Sequence, residues 1–227
     1  MKVGIIGCGL IGLKRANFLK KSQIKIVSDI SIKNLNFFKK KFNCITTQNY
    51  KDVIFSNIDI VFICTPHYLL SKFAIEALKQ KKHIFIEKPG TINSLDLKVI
   101  KSLAIKNKLC VKIGFNHRYH PSILFAKKII DHNKLGKILF LKGSYGHGGR
   151  KNYNKEWRFD ISKSGGGELI DQGSHLIDLA VHFLGELKLD YAKLSDFFWK
   201  KGVEDNVFIS LKTIFTNFSR SFFKKLG

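Results

Sequence analysis

The sequence has little proline, few acidic side chains and no long apolar stretch. Proline accounts for 3 of the 227 residues and glycine for 18, which excludes collagen-like and low-complexity proteins. No apolar run reaches the roughly 18 residues that a membrane-spanning helix needs. Because 44% of the residues are hydrophobic, the chain can bury a core, and we predict a folded protein of one or two domains rather than a disordered one.

Signals for export and for disulfide bonds are missing as well. The apolar N-terminus carries four glycines within its first twelve residues, and no Ala-x-Ala cleavage site follows, so we interpret it as part of the fold. The cysteines lie in or beside apolar runs at spacings that match no metal or redox pattern: Cys8, Cys44, Cys64 and Cys110. We predict buried free thiols in a reducing cytoplasm.

The charge is strongly one-sided. Lysine and arginine number 40 against 17 acidic residues, a formal net charge of +23. Such a field attracts phosphates, nucleic acid or anionic membranes. The lysines are scattered rather than clustered, so we interpret most of them as solvated surface. A basic nucleic-acid-binding module is an alternative that would bind random duplex with a steep salt dependence, but the sequence carries no matching motif.

Strand and helix signals alternate in the first half of the chain. Short runs rich in β-branched residues predict strands at residues 3–6, 24–27, 58–64, 83–86 and 109–114. Helical patterns separate them, the first ending at Lys21 and the others spanning residues 32–42, 71–81 and 95–107. Strands separated by helices form right-handed βαβ units, so we predict an α/β domain with a parallel sheet over residues 1–117.

After Asn116 the pattern changes to a second, α+β domain over residues 118–227. Helices are predicted at residues 123–131 and 168–184, and strands at 137–145, 187–198 and 206–213. A loop rich in glycine and charge spans residues 146–167. The sheet of this domain is expected to be mainly antiparallel.

A glycine-rich turn directly after the first predicted strand has the pattern of a dinucleotide-binding loop: Gly7-Cys8-Gly9-Leu10-Ile11-Gly12. The first glycine permits a tight turn, the second lets a pyrophosphate approach the backbone, and the third lets helix and strand pack closely. Asp29 ends the second strand and could accept hydrogen bonds from ribose hydroxyls. Its carboxylate would repel a 2′-phosphate, so NAD is predicted rather than NADP, although Lys33 tempers that preference. A glycine-rich turn without a ligand is the alternative.

Polar or conformationally special residues follow five of the predicted strands: Gly7, Asp29, Thr65-Pro66-His67, Glu87-Lys88 and Asn116. Because ligands of open parallel sheets bind beyond the carboxyl ends of the strands, this edge is the predicted ligand site. Lys88 lies between a strand and Pro89, which restricts it to extended geometry. It could hold a substrate oxygen and share its proton; alternatively, it is one more solvated lysine.

One predicted helix carries five titratable residues at spacings of three and four: Glu168, Asp171, His175, Asp178 and His182. This spacing puts them on one stripe. The stripe could be a solvated face of an apolar helix. It could be a metal site, although no further cluster of ligands accompanies it and we predict none. It could also be an acid–base pair in which Asp171 orients and polarises His175.

The central loop combines cations with aromatic rings. Arginine is scarce in this chain, yet Arg150 and Arg158 both lie here, together with His147, Tyr153 and Trp157. The two guanidiniums could hold a diphosphate or a carboxylate bidentately. Ordinary surface-loop residues are the alternative interpretation.

Together these motifs resemble the Gfo/Idh/MocA family of nicotinamide-dependent sugar and cyclitol oxidoreductases. The resemblance rests on the glycine loop, on Thr65-Pro66 and Glu87-Lys88-Pro89, on GFNHRYHP at 114–121 and on GGGELIDQGSHLIDLAVHFLG at 165–185. It covers about residues 1–212. It implies a Rossmann domain and an α/β domain whose open sheet forms the substrate pocket and often an oligomer interface, so a homo-oligomer is one expected state.

The resemblance also implies roles for individual residues. Lys88, Asp171 and His175 match the catalytic trio. Glu87, Asn116, Trp157 and Arg158 fall where relatives contact cofactor or substrate, and they join the cofactor contacts expected from the strand ends: the glycine loop, Asp29, Thr65, Pro66 and His67. Substrate contacts are expected from the catalytic trio and, on the composition of the central loop, from Arg150 and Tyr153. The implied reaction is NAD-dependent hydride transfer at a secondary hydroxyl of a sugar, cyclitol or nucleotide sugar.

The chain departs from the family pattern in three places. His67 stands where relatives often have Asn, and Leu70 where they often have His. Family chains run roughly half as long again, so this chain is expected to lack later strands of its second sheet. The apolar and basic residues after Thr213 could be a membrane-surface helix, a substitute core helix, or the product of a shifted frame or early stop. A shortened, inactive dinucleotide-binding remnant is therefore the main rival to an active enzyme.

Overall fold

The computed structural model describes residues 1–214, and the chain divides into two compact units. The first contains Met1–Gly114 and Ser162–Gly165, and the second contains Phe115–Ile161 and the described residues from Gly166 onward. The basic apolar segment singled out above lies, apart from Ile214, outside the described residues. No helix within residues 1–214 combines the length and the apolar character that crossing a bilayer requires.

Six parallel strands form the sheet of the first unit, and they confirm the predicted α/β class. In chain order they are β1 Val3–Ile6, β2 Ile24–Ser28, β3 Ile45–Thr47, β4 Ile60–Ile63, β5 His83–Ile86 and β6 Val111–Ile113. Their spatial order is β3-β2-β1-β4-β5-β6. Strands β1, β2 and β3 therefore follow one another toward one edge of the sheet, and strands β4, β5 and β6 follow one another toward the opposite edge. This reversal leaves a crevice beside the ends of these two central strands.

Helices connect these strands and cover the sheet: α1 Leu10–Ala16, α2 Ile32–Phe42, α3 Tyr50–Phe55, α4 His67–Lys79 and α5 Ser94–Asn107. Alternate strand residues enter two apolar cores. Val3 and Ile5 of β1 pack into one core with Phe38 of α2, whereas Ile6 packs into the other core with Leu70 of α4. A parallel sheet buried on both faces has continuous apolar strands, which is why its strands could be predicted.

Two elements of the first unit are not predicted by the sequence pattern. Strand β3 has three residues, two of them threonine, and helix α3 has six. Both are too short to show a hydrophobic period. Pairing of Ile26 with Ile45 fixes β3 at the edge of the sheet, and the complete burial of Val53 and Ile54 fixes α3.

The second unit is α+β, with less sheet than expected. It contains a 3₁₀ turn at Asn116–Tyr119, α6 Pro121–Asp131, 3₁₀ turns at Tyr153–Lys155 and Trp157–Phe159, a π-helical turn at Leu169–Gly173 and α8 Ser174–Leu184. The short helix α7, Ile161–Ser164, leads from this unit into the first. Strands β7 Leu187–Ser195 and β8 Asn206–Thr213 pair antiparallel.

The predicted strand at residues 137–145 is wrong. This segment has no regular secondary structure, and Leu139 and Phe140 are exposed. A strand leaves its backbone N–H and C=O groups unpaired unless a neighbour supplies partners. Within residues 1–214, the strand pairing of this unit is limited to β7 with β8, so the alternating segment has no strand beside it.

The four cysteines are free, but they are not all buried as predicted. Cys8 and Cys44 are buried, Cys64 is half-buried, and Cys110 is exposed just before the edge strand β6. Burial raises the pKa of the Cys8 and Cys64 thiols far above the usual range, with nearby carboxylates adding to the effect. These two thiols are therefore protonated and unreactive at neutral pH.

Candidate functional site

The parallel register brings the ends of four strands to one level. Ile6 of β1 pairs with Ser28 of β2 and with Ile63 of β4. Ile63 in turn pairs with Ile86 of β5. The residues that follow these strands form one row: Gly7, Asp29, Cys64-Thr65 and Glu87-Lys88. The structure thus places the predicted site residues of the first unit together at the carboxyl edge of the sheet, where α/β proteins bind ligands.

The three glycines of the loop before α1 are not equivalent. A Cβ on Gly12 would lie 1.9 Å from Gly7 O, and a Cβ on Gly7, whose φ is +96°, would lie 2.5 Å from Cys64 O. Backbone contacts therefore require both of these glycines. A Cβ on Gly9 would meet no atom of the described residues within 4 Å. Gly9 leaves open space beside the backbone, as a pyrophosphate needs.

Asp29 holds this loop in place. Its Oδ2 accepts a hydrogen bond from Cys8 N–H at 2.6 Å, and its Oδ1 accepts one from Ser31 N–H at 2.8 Å. Each carboxylate oxygen keeps a further lone pair, so the group can still accept a hydrogen bond from a ribose hydroxyl. Lys33 lies in the first turn of the following helix, α2, and is exposed.

Buried polar atoms follow β4. Thr65 Oγ1 is buried and has no hydrogen-bond partner within residues 1–214, an arrangement that is unfavourable unless a ligand or water supplies a partner. His67 is also buried, and its Nδ1–H donates to Ser164 O at 3.0 Å. The open position beside Gly9 and the unsatisfied Thr65 hydroxyl both fit a bound dinucleotide.

Glu87 and Lys88 follow β5 in a turn. Gly90 N–H donates to Glu87 O at 2.9 Å, and the peptide bond between Lys88 and Pro89 is cis. Lys88 therefore lies in a hydrogen-bonded turn rather than simply extending the strand. The Glu87 carboxylate is buried and accepts a hydrogen bond from Arg15 Nε at 2.5 Å. Burial works against the charge of Arg15, but the hydrogen bond to Glu87 outweighs it and raises the pKa of Arg15.

Sequence reasoning missed Arg15, although a signal was available. Arginine is rare in this chain, and Arg15 lies on the helix that directly follows the glycine loop. A cation there can reach the row at the strand ends, and here it fixes the Glu87 carboxylate.

The helix predicted at residues 168–184 is not a continuous α-helix. Its first turn, Leu169–Gly173, is π-helical, and α8 begins at Ser174. The start of this segment is tied to Glu204, whose backbone oxygen accepts from Glu168 N–H (2.8 Å) and whose Oε1 accepts from Leu169 N–H (3.1 Å). A π turn interrupts the 3.6-residue period, and such turns are frequent at functional sites.

The polar stripe of this segment faces inward. Asp171, His175 and Asp178 are 4%, 6% and 8% exposed, whereas Val181 on the apolar side is 38% exposed. The interpretation of the stripe as a solvated face is therefore wrong. Within residues 1–214, no group of three or more His, Cys, Asp or Glu side chains is arranged to hold a metal ion.

Two arginines of the central loop contact carboxylates of the same unit. Arg158 Nε donates to Asp171 Oδ2 at 2.9 Å, and its Nη1 donates to Glu156 Oε2 at 2.7 Å. Arg150 also pairs with Glu156: its Nη2 lies 2.6 Å from Oε1 and 2.7 Å from Oε2. The guanidinium of Arg158 lies 4.8 Å from the centre of the Trp157 ring.

Tyr153 lies beneath this network. It is buried, and its hydroxyl donates to Glu168 Oε1 at 3.0 Å. The other oxygen of Glu168 is 3.7 Å from His147 Nε2. Burial, followed by the charges of Glu168 and Asp171, raises the pKa of Tyr153 well above its usual range. Tyr153 is therefore a permanent hydrogen-bond donor near neutral pH.

The His175 ring packs against other rings. It stacks on His117 with ring centres 4.0 Å apart and planes at 25°, and Phe115 meets it edge-on at 5.9 Å. The ring of Tyr145 lies 6.4 Å away. Sequence reasoning missed His117, although it lies beside Asn116 in the motif at 114–121. Asn116 itself is exposed at the start of its 3₁₀ turn.

Both units match known family domains. Residues 1–115 match the family described as "Oxidoreductase family, NAD-binding Rossmann fold", and residues 123–214 match the "GFO/IDH/MocA C-terminal domain". The chain therefore belongs to the Gfo/Idh/MocA oxidoreductase family, and its first unit is an NAD-binding Rossmann domain.

Individual relatives include named sugar dehydrogenases. The chain is 32% identical over 183 residues to glucose-6-phosphate 3-dehydrogenase of Bacillus subtilis, covering 78% of this chain and 52% of that protein. It is 34% identical over 154 residues to levoglucosan dehydrogenase of Pseudarthrobacter phenanthrenivorans, covering 66% of this chain and 39% of that protein. A solved structure of levoglucosan dehydrogenase in complex with NADH and levoglucosan aligns with a TM-score of 0.82 and 26% identity, over 93% of this chain and 63% of that one. The chain spans about half the length of the curated relatives it matches.

Proposed function

We propose that this chain carries the cofactor-binding and proton-transfer parts of an NAD-dependent dehydrogenase acting on a secondary hydroxyl of a sugar, cyclitol or nucleotide sugar. The observation that carries the proposal is the row of special residues at the strand ends, where Gly9 leaves open backbone and Thr65 presents an unsatisfied hydroxyl. The named relatives support the substrate class, since they act on sugars and sugar phosphates.

The cofactor would be held by the glycine loop, Asp29 and Thr65, with Glu87 fixed near them by Arg15. Bound NAD⁺ supplies the hydride acceptor. An acidic residue at the end of β2 suits the ribose hydroxyls of NAD better than a 2′-phosphate, so NAD is the proposed partner of this loop. Asn116 and Trp157 remain proposed cofactor contacts on the family resemblance, and His67 remains one because of its position after β4.

The proposed catalytic groups are Lys88, Asp171 and His175. A ring nitrogen of His175 would accept the proton of the substrate hydroxyl, because neutral imidazole is a general base near neutral pH. The ammonium of Lys88 would donate hydrogen bonds to the substrate oxygen. Asp171 would keep its negative charge beside the reacting hydroxyls. Arg150 and Tyr153 remain proposed substrate contacts.

The test is turnover of the full chain with NAD⁺ and a panel of levoglucosan, glucose 6-phosphate and myo-inositol, followed by the absorbance of reduced nicotinamide. Lys88→Met and His175→Ala should each lower kcat by about a hundredfold or more while NADH fluorescence titrations show unchanged binding. Lys101→Met, on an exposed position of α5, is the matched lysine control and should behave as wild type. Unchanged turnover in both catalytic variants would refute these roles.

A dinucleotide-binding remnant without activity is the second candidate. The observation that favours it is the sheet of the second unit, which pairs two strands within the described residues. This second hypothesis predicts that NADH binds and raises the melting temperature of the wild-type chain, while none of the sugars in the panel is oxidised.

A further inference from the structure

We infer that Arg158 is a positioning residue that keeps the Asp171 carboxylate ionised and in one orientation. The inference rests on the proposed function for what Asp171 does, and on observed contacts for how it is held. The Asp171 side chain is only 6% exposed, and Arg158 Nε lies 2.9 Å from its Oδ2. An exposed arginine–aspartate pair contributes little to the stability of a folded protein. A buried carboxylate, by contrast, needs a charged partner to remain ionised.

Arg158 is itself held rigidly. Its Nη1 donates to Glu156 Oε2, and its guanidinium stacks over Trp157. Burial works against its charge, but the charge of Asp171 and the hydrogen bond to it outweigh burial and raise the pKa of Arg158. A planar guanidinium fixed by two other contacts presents its Nε–H in one direction. The orientation of the Asp171 carboxylate therefore follows from the placement of Arg158.

Other titratable groups of the same unit surround this ion pair. They come from the two 3₁₀ turns, from the loop before them and from the helical segment that carries Asp171, and they include Tyr153, Glu156, His147, Arg150, Glu168 and His175. Tyr153 is neutral, and Glu156 and Glu168 are carboxylates that would repel a charge on Asp171. Arg150 is largely exposed and pairs with Glu156 rather than Asp171. The Gln172 amide, 3.4 Å from Asp171 Oδ2, carries no charge.

Removing the Arg158 charge should therefore make Asp171 take up a proton at higher pH. An arginine beside an aspartate typically moves its titration by about 1–3 pH units. The measurement is ¹³C NMR of the full chain labelled at the aspartate side-chain carboxyl, with the Asp171 signal assigned from Asp171→Asn. In Arg158→Met the Asp171 midpoint should rise by about 1–3 pH units. This readout needs neither cofactor nor turnover.

Kinetics supplies the second readout. In Arg158→Met, kcat should fall about tenfold to a hundredfold with little change in KM for NAD⁺, and the acid limb of the kcat/KM profile should move to higher pH. Arg158→Lys should recover part of the loss, because it keeps the charge but not the planar fork. Arg118→Met is the matched control: it removes the arginine partner of another buried carboxylate of the same unit, Asp178. It should lower stability without moving the Asp171 titration or the acid limb.

Three results would overturn the inference. One is an Asp171 titration that is the same in Arg158→Met and wild type. Another is the same shift in Arg118→Met, which would make it a consequence of general destabilisation. The third is a raised KM for NAD⁺ at unchanged kcat, which would identify Arg158 as a cofactor contact instead. If Arg158→Met does not fold, Arg158→Gln, which removes the charge, is compared with Arg158→Lys, which keeps it, and only Arg158→Gln should raise the Asp171 midpoint by about 1–3 pH units. If the wild-type chain oxidises none of the sugars, the proposed function fails, and the NMR titration still decides the role of Arg158.

Discussion

The glycine loop offers a pair of single-methyl substitutions with opposite expected effects. Gly12→Ala should destabilise the first unit, whereas Gly9→Ala should leave it folded and weaken dinucleotide binding. Both changes add one Cβ to the same six-residue loop, so each is the matched control for the other.

The magnitudes follow from the surroundings of each Cβ. Ordinary contact begins at 3.4 Å, and the added Cβ of Gly12→Ala would lie 1.9 Å from Gly7 O, so loop and helix must separate by about 1.5 Å. Overpacking of this kind costs about 1–3 kcal/mol, and each kcal/mol lowers the melting temperature by about 2–4 °C in a chain of 150–250 residues. At Gly9, φ −71° and ψ −166° are open to any L residue and no described atom lies near the Cβ. Alanine there should be neutral, or stabilising by about 0.4–1 kcal/mol through the unfolded state.

The assay combines thermal unfolding without ligand and NADH binding followed by fluorescence. The expected pattern is a lowered melting temperature for Gly12→Ala only. Gly9→Ala should bind NADH at least tenfold more weakly at an unchanged melting temperature, since its methyl would occupy the space proposed for the pyrophosphate. Wild-type NADH affinity in Gly9→Ala would show that the cofactor does not approach the backbone there. A wild-type melting temperature in Gly12→Ala would refute the packing argument.

Further substitutions test other contacts. Phe38→Ala, at a fully buried position, should lower the free energy of unfolding by about 3–5 kcal/mol in urea denaturation. Arg118→Met leaves the buried Asp178 carboxylate without its bidentate partner and should cost about 3 kcal/mol; a smaller loss in Asp178→Asn/Arg118→Met than in Arg118→Met would confirm the cause. Burial opposes ionisation of Asp205, but three backbone N–H groups donate to it and lower its pKa from 3.8 to about 2. Its stabilising effect is therefore complete above about pH 4 and is lost as the pH falls through 2. Because Asp205 is partly exposed, solvent screening reduces this effect, so Asp205→Asn should lose about 1 kcal/mol at neutral pH and progressively less as the pH falls through 2. Asp29→Asn should narrow the preference for NADH over NADPH in binding titrations, and an unchanged ratio would contradict the role given to its charge.

Most of the first unit could be predicted because its strands and its glycine loop are specified by short, local sequence patterns. Strands buried on both faces appear as continuous apolar runs, and the glycine loop follows the first of them directly. The position of Asp29 after β2 then places an acid on the same edge of the sheet. Helix α3 and strand β3 could not be predicted, because elements this short are stabilised by their neighbours rather than by a period of their own.

The second unit was harder to predict because its key contacts join distant segments. The sequence shows the residue types and the spacing of the polar stripe on residues 168–184, but it does not show that the stripe is buried. Arg158 and Asp171 are 13 residues apart, in a 3₁₀ turn and in a π turn, and no helical or strand period links them. The segment at residues 137–145 has a strand pattern without a neighbouring strand, so its pattern alone led to a wrong prediction.

The burial of the stripe argues for function rather than stability. Asp171 and His175 are almost fully buried on a segment whose apolar Val181 remains partly exposed, the reverse of what a stable helix would favour. Buried ionisable groups seldom stabilise a fold, since apolar side chains of similar volume usually do as well or better. Their retention is explained when the groups must transfer protons or hold charge. The carboxylate–guanidinium contact of Asp171 with Arg158 is then the arrangement that lets such a charge remain in the interior.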